Sequence, residues 1–225
     1  MTKVGTRLAG QTRFDHFMYH LGRNLVVGFC RVWCRETVEG SHHIPPTGAF
    51  VLAPVHRSIL DTPISAAVTR RRLRYMGADK YWKNRWFGRL LTAFGGFPVS
   101  RGTADKEALS RCIDILRAGE PLVLFPEGER KSGPLVQPLF DGATYVALKA
   151  GVPIVPVGIG GSERAMPKGS RFIYPRKVHV VVGAPIRVPA AGDARITRAA
   201  RHELSAALQA ELQHLFDRAE ARVSR

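Results

Sequence analysis

Along the chain, short unbroken apolar runs take turns with longer stretches in which apolar residues recur about every three or four positions. A short apolar run bounded by turn residues reads as a buried strand, and a longer periodic stretch reads as a helix with one apolar face. AFVLAPV at 49–55 is the first such run and leads into a helix near Ser58. RLRYMGA at 72–78, GGFPVS at 95–100, PLVLF, PIVPVGI and KVHVVVG are the other expected strands. Between them lie three helices. WKNRWFGRLLTAF at 82–94 has Trp82, Trp86, Leu90 and Phe94 spaced four apart. DKEALSRCIDILRAG at 105–119 is closed by Gly119, and GATYVALKAG at 142–151 by a further glycine, a residue that ends helices because positive φ costs it little. From about Ile196 to Arg218, Leu204, Leu208, Leu212 and Leu215 form a stripe expected to pack on the domain.

This alternation predicts an α/β fold: a mostly parallel central sheet flanked by helices, with an N-terminal helical extension. The expected organisation is a single domain over 1–225. Within it, 1–45 is a membrane-associating helical extension, 46–190 the α/β core and 191–225 a C-terminal helix. A chain of 225 residues that is 45% hydrophobic has enough apolar surface for one such core.

Charge narrows the partners. Lys and Arg number 34 against 18 Asp and Glu, a formal charge of +16, which calls for an anionic partner. Nucleic acid, anionic lipid and phosphorylated substrate all satisfy that, but no nucleic-acid-binding module is recognisable, so no nucleic acid is expected. Cys30, Cys34 and Cys112 form no zinc spacing and no disulfide framework, and are expected to be buried, inert thiols in a reducing compartment. The N-terminal stretch lacks the apolar segment of a secretory signal, and LVVGFCRVW at 25–33 is too short to span a bilayer. Residues 14–34 read either as a helix packed on its own domain or as an interfacial helix. In the second case Phe14, Phe17, Met18, Leu21, Leu25, Phe29 and Trp33 meet lipid. In 82–94, Trp82, Trp86, Phe87, Leu90 and Leu91 gather beside Arg85 and Arg89, a pattern that suits an anionic bilayer surface; the bland account is a core helix with surface arginines. The expected location is peripheral, on the cytoplasmic face of the cell membrane, with a monomer as the default.

The candidate chemistry starts at PVHRSILDTP. His56 can accept a proton from a hydroxyl near neutral pH, and a carboxylate on its other nitrogen fixes the tautomer. Asp61 is placed to be that carboxylate if the chain turns after His56. Equally, Ser58 to Asp61 fits a capping box, with Asp61 closing onto the backbone of Ser58. LFPEGERKSG sets Glu127, Glu129, Arg130 and Lys131 beside Gly128 at a strand end, where Arg130 is suited to clasp a phosphate. Arg101 stands in another strand-end loop, GGFPVSRG; the bland account of both arginines is solvated surface charge. No GxSxG nucleophile elbow, Walker loop, GxGxxG fingerprint or metal spacing is present, although GIGGS at 158–162 is superficially elbow-like.

Taken in order, these blocks resemble the glycerolipid acyltransferase family, whose best-known members make phosphatidic acid from lysophosphatidic acid. HRSILD at 56–61 matches its His-x4-Asp motif, and GGFPVSR at 95–101 its second block. FPEGER at 125–130 is similar to Phe-Pro-Glu-Gly-Thr-Arg, VPIVPVGI at 152–159 matches the fourth block, and GAPI at 183–186 resembles the end of the core. The resemblance spans about residues 35–190. It implies His56 as general base and Asp61 as its orienting partner, with direct attack of the acceptor hydroxyl on an acyl thioester and no acyl-enzyme. Arg101 and Arg130 would hold the acceptor phosphate, with Glu127 and Gly128 shaping that site. The implied co-substrate is acyl-CoA or an acyl carrier protein thioester, with no tightly bound cofactor and no metal. The implied acceptor is a lysophospholipid, foremost 1-acyl-glycerol 3-phosphate. Another lysolipid, glycerol 3-phosphate or a glycolipid stays open as acceptor, as does a non-catalytic anionic-lipid-binding protein. Two departures stand out: Val55 where asparagine is frequent, and Glu129 where threonine is usual. A carboxylate at 129 repels an anion unless it points away or pairs with a lysine.

Overall fold

The computed structural model describes residues 12–99, 106–188 and 196–224. Seven strands form one sheet: β1 (Thr37–Glu39), β2 (Val51–Pro54), β3 (Arg74–Ala78), β4 (Gly96–Val99), β5 (Leu122–Val123), β6 (Ile154–Gly160) and β7 (His179–Val182). Their spatial order is β1-β7-β6-β2-β5-β3-β4, and every neighbouring pair is parallel except β6 with β7. The helices are α1 (Arg13–Trp33), α2 (Asp61–Ser65), α3 (Arg85–Ala93), α4 (Lys106–Arg117), α5 (Gly142–Ala150), α6 (Ser162–Ala165) and α7 (Arg198–Val223). This is the expected α/β architecture with a helical N-terminal extension. The continuous apolar runs became the central strands: β2 and β6 are buried along their whole length, as strands covered on both faces must be.

α7 lies against β6, and two glycines allow it. A Cβ added at Gly158 would fall 2.3 Å from the carbonyl carbon of Leu215, and one at Gly160 2.4 Å from that of Ala219. GIGGS is therefore a seat for a helix backbone. The leucine stripe packs as expected, with Leu208, Leu212, Leu215 and Phe216 buried.

Three local features depart from the sequence pattern. β1 lies within the first 45 residues, so that stretch supplies an edge strand to the sheet as well as α1. The helix expected near Ser58 begins at Asp61 and lasts little more than one turn. The expected helix over 82–94 is divided: a 3-10 turn covers Asp79–Trp82, and α3 starts only at Arg85. Asn84 makes that break, its Oδ1 accepting the backbone N–H groups of Trp86 and Phe87, each at 3.0 Å.

α1 serves two environments. Tyr19, Val27 and Cys30 face the domain, while Phe14, Phe17, Leu21, Leu25, Phe29 and Val32 are exposed. Among the described residues, no helix is long and apolar enough to cross a membrane. All three cysteines are free and buried, and burial pushes the Cys30 thiol up to about 12, which makes it unreactive near neutral pH.

Candidate active site

β2 and β5 are neighbours in the sheet, and the turns beyond their carboxyl ends carry both charged motifs. Such strand ends are where open α/β sheets place ligands. His56 follows β2 and turns its Nδ1 toward Asp61 Oδ2, 3.2 Å away. The same oxygen accepts the backbone N–H groups of Arg57 at 2.6 Å and Ser58 at 2.7 Å. Asp61, fully buried, is the first residue of α2, so Ser58 is not the N-cap of a capping box; one oxygen ties the imidazole to the loop N–H groups ahead of the helix. With an acceptor on that side, Nδ1 carries the proton and the lone pair sits on Nε2, which makes no hydrogen bond to a described residue. The Phe125 ring stacks on the imidazole with centroids 4.0 Å apart.

The second motif holds the first from behind. Glu127 is fully buried, and its Oε2 accepts the His56 backbone N–H at 3.0 Å. Both of its oxygens lie 2.8 Å from Arg57 Nη1, and Oε1 also accepts the Gln137 N–H at 3.2 Å. Arg57 is itself buried. Its Nη2 donates to the Leu135 carbonyl at 3.0 Å, and its guanidinium lies 4.8 Å over the Phe216 ring. Glu127 therefore points inward, and Arg57 is a residue of the site that the sequence reading passed over. The available signal was a basic residue next to the histidine and a matching carboxylate in FPEGER.

Gly128 makes the tight turn at φ 70°, its N–H donating to Phe125 O at 3.0 Å, and an added Cβ would approach the Phe140 ring to 2.7 Å. The Lys131 N–H donates to the His56 carbonyl at 2.8 Å, which brings Arg130 into the neighbourhood of the imidazole. Arg130 is half-buried and forms no ion pair with a described residue. Glu129, the unusual carboxylate, pairs with Lys131 Nζ at 2.8 Å, and that hydrogen bond holds its carboxyl below the usual range. Its charge is thereby turned onto its own neighbour. Arg101 lies outside the described residues.

One residue past Asp61 an apolar cavity of about 230 Å³ begins, between α1, α2 and α3. Tyr19, Val26, Pro63, Leu91 and Phe94 line it. Arg23, at its edge, is tied by Nε to the carbonyls of Ala66 and Thr69 at 3.1 and 2.9 Å. On α3, Trp86, Phe87 and Leu90 are exposed, with the Arg89 guanidinium 5.7 Å over the Trp86 ring. Trp82 and Leu91, expected on the same surface, are half-buried: Leu91 lines the cavity and Trp82 donates Nε1–H to Thr92 Oγ1 at 2.9 Å. The break at Asn84 removes Trp82 from the periodicity of α3, which explains its inward turn. Among the described residues, no group of three or more His, Cys, Asp or Glu side chains is placed to hold a metal ion.

The arrangement joins an oriented imidazole with a free Nε2, a turn carrying Arg130 whose backbone is bonded to the His56 carbonyl, and an apolar cavity beyond Asp61. The profile of a family described as "Acyltransferase" matches residues 35–160, which include both motifs. The 1-acyl-sn-glycerol-3-phosphate acyltransferase of Bacillus subtilis (strain 168) is 26% identical over 150 residues, covering 66% of this chain and 72% of that protein. A chloroplastic 1-acyl-sn-glycerol-3-phosphate acyltransferase of Brassica napus is 26% identical over 180 residues, covering 77% of this chain, which spans 51% of that protein. In fold, the chain is similar to the 1-acyl-sn-glycerophosphate (LPA) acyltransferase PlsC from Thermotoga maritima. The TM-score is 0.76 at 23% identity, over 96% of this chain and 86% of that one.

Proposed function

The chain belongs to the acyltransferase family, and from this premise we propose that it moves a fatty acyl group from an acyl thioester to the free hydroxyl of 1-acyl-glycerol 3-phosphate, giving phosphatidic acid. His56 Nε2 takes the proton of the acceptor hydroxyl as its oxygen attacks the thioester carbonyl. Collapse of the tetrahedral species breaks the carbon–sulfur bond, and the imidazolium returns the proton to the leaving thiolate. Asp61 holds the tautomer throughout and stabilises the imidazolium.

The observation that carries this reading is the Nδ1–Asp61 contact at 3.2 Å, which leaves Nε2 free of any described partner. Arg130 would bind the acceptor phosphate, and the Glu129–Lys131 pair at 2.8 Å supports that by drawing the neighbouring carboxylate aside. Arg101 is proposed as a second phosphate ligand on the resemblance of GGFPVSR alone. The apolar cavity beyond Asp61 suits an acyl chain. The donor is acyl-CoA or an acyl carrier protein thioester. Contact with the bilayer is peripheral, through the exposed apolar faces of α1 and α3.

Mass spectrometry of products from a panel of lysolipids, glycerol 3-phosphate and glycolipid acceptors, each with both thioester donors, tests the reading. Phosphatidic acid should dominate. A preference for an acceptor without a phosphate would reassign the substrate, and failure of the folded protein to acylate any acceptor would remove the catalytic reading.

A further inference from the structure

A second cavity, of about 690 Å³, opens where α1 and α7 both end. Four basic residues line it: Arg35, Arg164, Arg176 and Lys177. Arg164 is paired with Glu220 at 2.9 Å, whereas Arg176 and Lys177 are exposed and form no ion pair with a described residue. Two helix carboxyl ends contribute only about half a negative charge each. With Glu220 added, they leave the four cations in excess, so offsetting helix dipoles does not account for the cluster.

The loop that carries Arg176 and Lys177 is fixed on both sides. The N–H of Tyr174 donates to Ala165 O at 2.8 Å, and that of Val178 to Cys34 O at 3.0 Å. From the α1 side, Trp33 Nε1 donates to Ile173 O at 2.8 Å and Arg35 Nη2 to Pro175 O at 3.1 Å. The same loop presents Phe172 and Tyr174 to solvent, their rings 5.1 Å apart. Next to them Phe29 and Trp33 stack at 6.2 Å on the exposed face of α1. Basic and aromatic residues thus meet along the edge of an apolar face, as they do in proteins seated at an anionic bilayer surface.

We propose that this cavity holds the phosphate headgroup of an anionic phospholipid of the bilayer, while Phe172 and Tyr174 enter the interface beside α1. None of the residues lining it belongs to the two motifs at His56. It rests on the peripheral membrane contact of α1 and α3, and adds to it a preference for anionic lipid.

Co-sedimentation with vesicles of phosphatidylcholine alone, and of phosphatidylcholine with phosphatidylglycerol, tests the site. Arg176→Gln with Lys177→Gln should lower affinity for the anionic vesicles roughly 30-fold, since each basic residue near such a surface contributes about a fivefold factor. Binding to neutral vesicles and turnover on a detergent-dispersed acceptor should stay unchanged. Lys106→Gln with Arg117→Gln on α4 removes the same charge elsewhere and should cost far less. Inorganic phosphate at constant ionic strength should weaken binding of the wild type to the anionic vesicles and leave the double variant unaffected; phosphate binding lost in the double variant while its vesicle binding stays at the wild-type level would assign the cavity to a soluble phosphate compound. Equal losses in the two charge pairs, or none in the first, would overturn the headgroup site while leaving the membrane reading in place. Wild-type protein that binds neither vesicle would overturn both.

Discussion

Glu127 accepts the backbone N–H of His56 at 3.0 Å from a position with no solvent exposure, so the glutamate of one motif sets the place of the histidine in the other. The ion pair with Arg57 holds that carboxylate in register. A buried pair of this kind adds little net stability compared with apolar residues of the same shape, but losing one partner strands a charge. Positioning, then, is what the pair supplies.

Arg57→Ala or Glu127→Ala should each destabilise the protein by about 3–5 kcal/mol, measured by denaturant unfolding. Arg57→Met with Glu127→Leu should recover part of this. Recovery stays incomplete because the N–H groups of His56 and Gln137 still lose their acceptor. Turnover should remain low in the double variant. Recovery of turnover together with stability would show that the pair acts on the fold alone.

Asp61→Asn separates the two duties of that side chain. The amide oxygen can still accept from the N–H groups of Arg57 and Ser58, so thermal stability should change little. That same oxygen also faces Nδ1 and can still accept from it, but the neutral amide no longer offers the imidazolium a negative charge. Turnover should drop by about 10³–10⁴, as for other carboxylate-oriented histidines, with the acceptor KM nearly unchanged. Asp61→Ala should lose stability as well. A rise in KM at constant turnover in Asp61→Asn would place the carboxylate in substrate binding instead.

The expected fold was legible where burial is continuous. AFVLAPV and VPIVPVGI have no polar face, and such runs become central strands. β1 was not legible because three residues at a sheet edge, Thr37, Val38 and Glu39, carry no period long enough to read. The inward turn of Trp82 depends on where α3 begins, which the Asn84 cap decides against the four-residue spacing. His56 and Asp61 were legible as a pair, but the choice between cap and imidazole partner depended on where α2 begins: it begins at Asp61 itself, whose oxygen meets the imidazole and the loop N–H groups ahead of it. Arg57 was missed because nothing local in HRSILD tells a buried arginine from a solvated one; its partner lies 70 residues away.

Glu36 makes stability depend on pH. It is buried between α1 and β1 with no hydrogen-bond partner on either oxygen, and burial pushes its carboxyl up to about 8, against a smaller opposing pull from Arg31 and Arg23. Between its ordinary value of 4.5 and about 8, the folded protein holds a proton that the unfolded chain has released. Stability is therefore full below that window and falls as pH rises through it, by a few kcal/mol at most. Glu36→Gln should flatten the dependence and raise the thermal midpoint most above pH 8. Parallel midpoint profiles for the two proteins from pH 5 to 9 would show that the carboxyl is ionised in the fold.

The central claim is that His56 is the base, and the most direct measurement compares initial rates of thioester-dependent acylation of lysophosphatidic acid by wild type and His56→Ala on the same vesicles. His56→Ala should lose a factor of about 10²–10⁴ or more in turnover while its thermal midpoint and vesicle binding stay close to wild type. Turnover near the wild-type rate in the folded, vesicle-bound variant would contradict the account, and would mean that the His56 Nε2 is not where the proton goes.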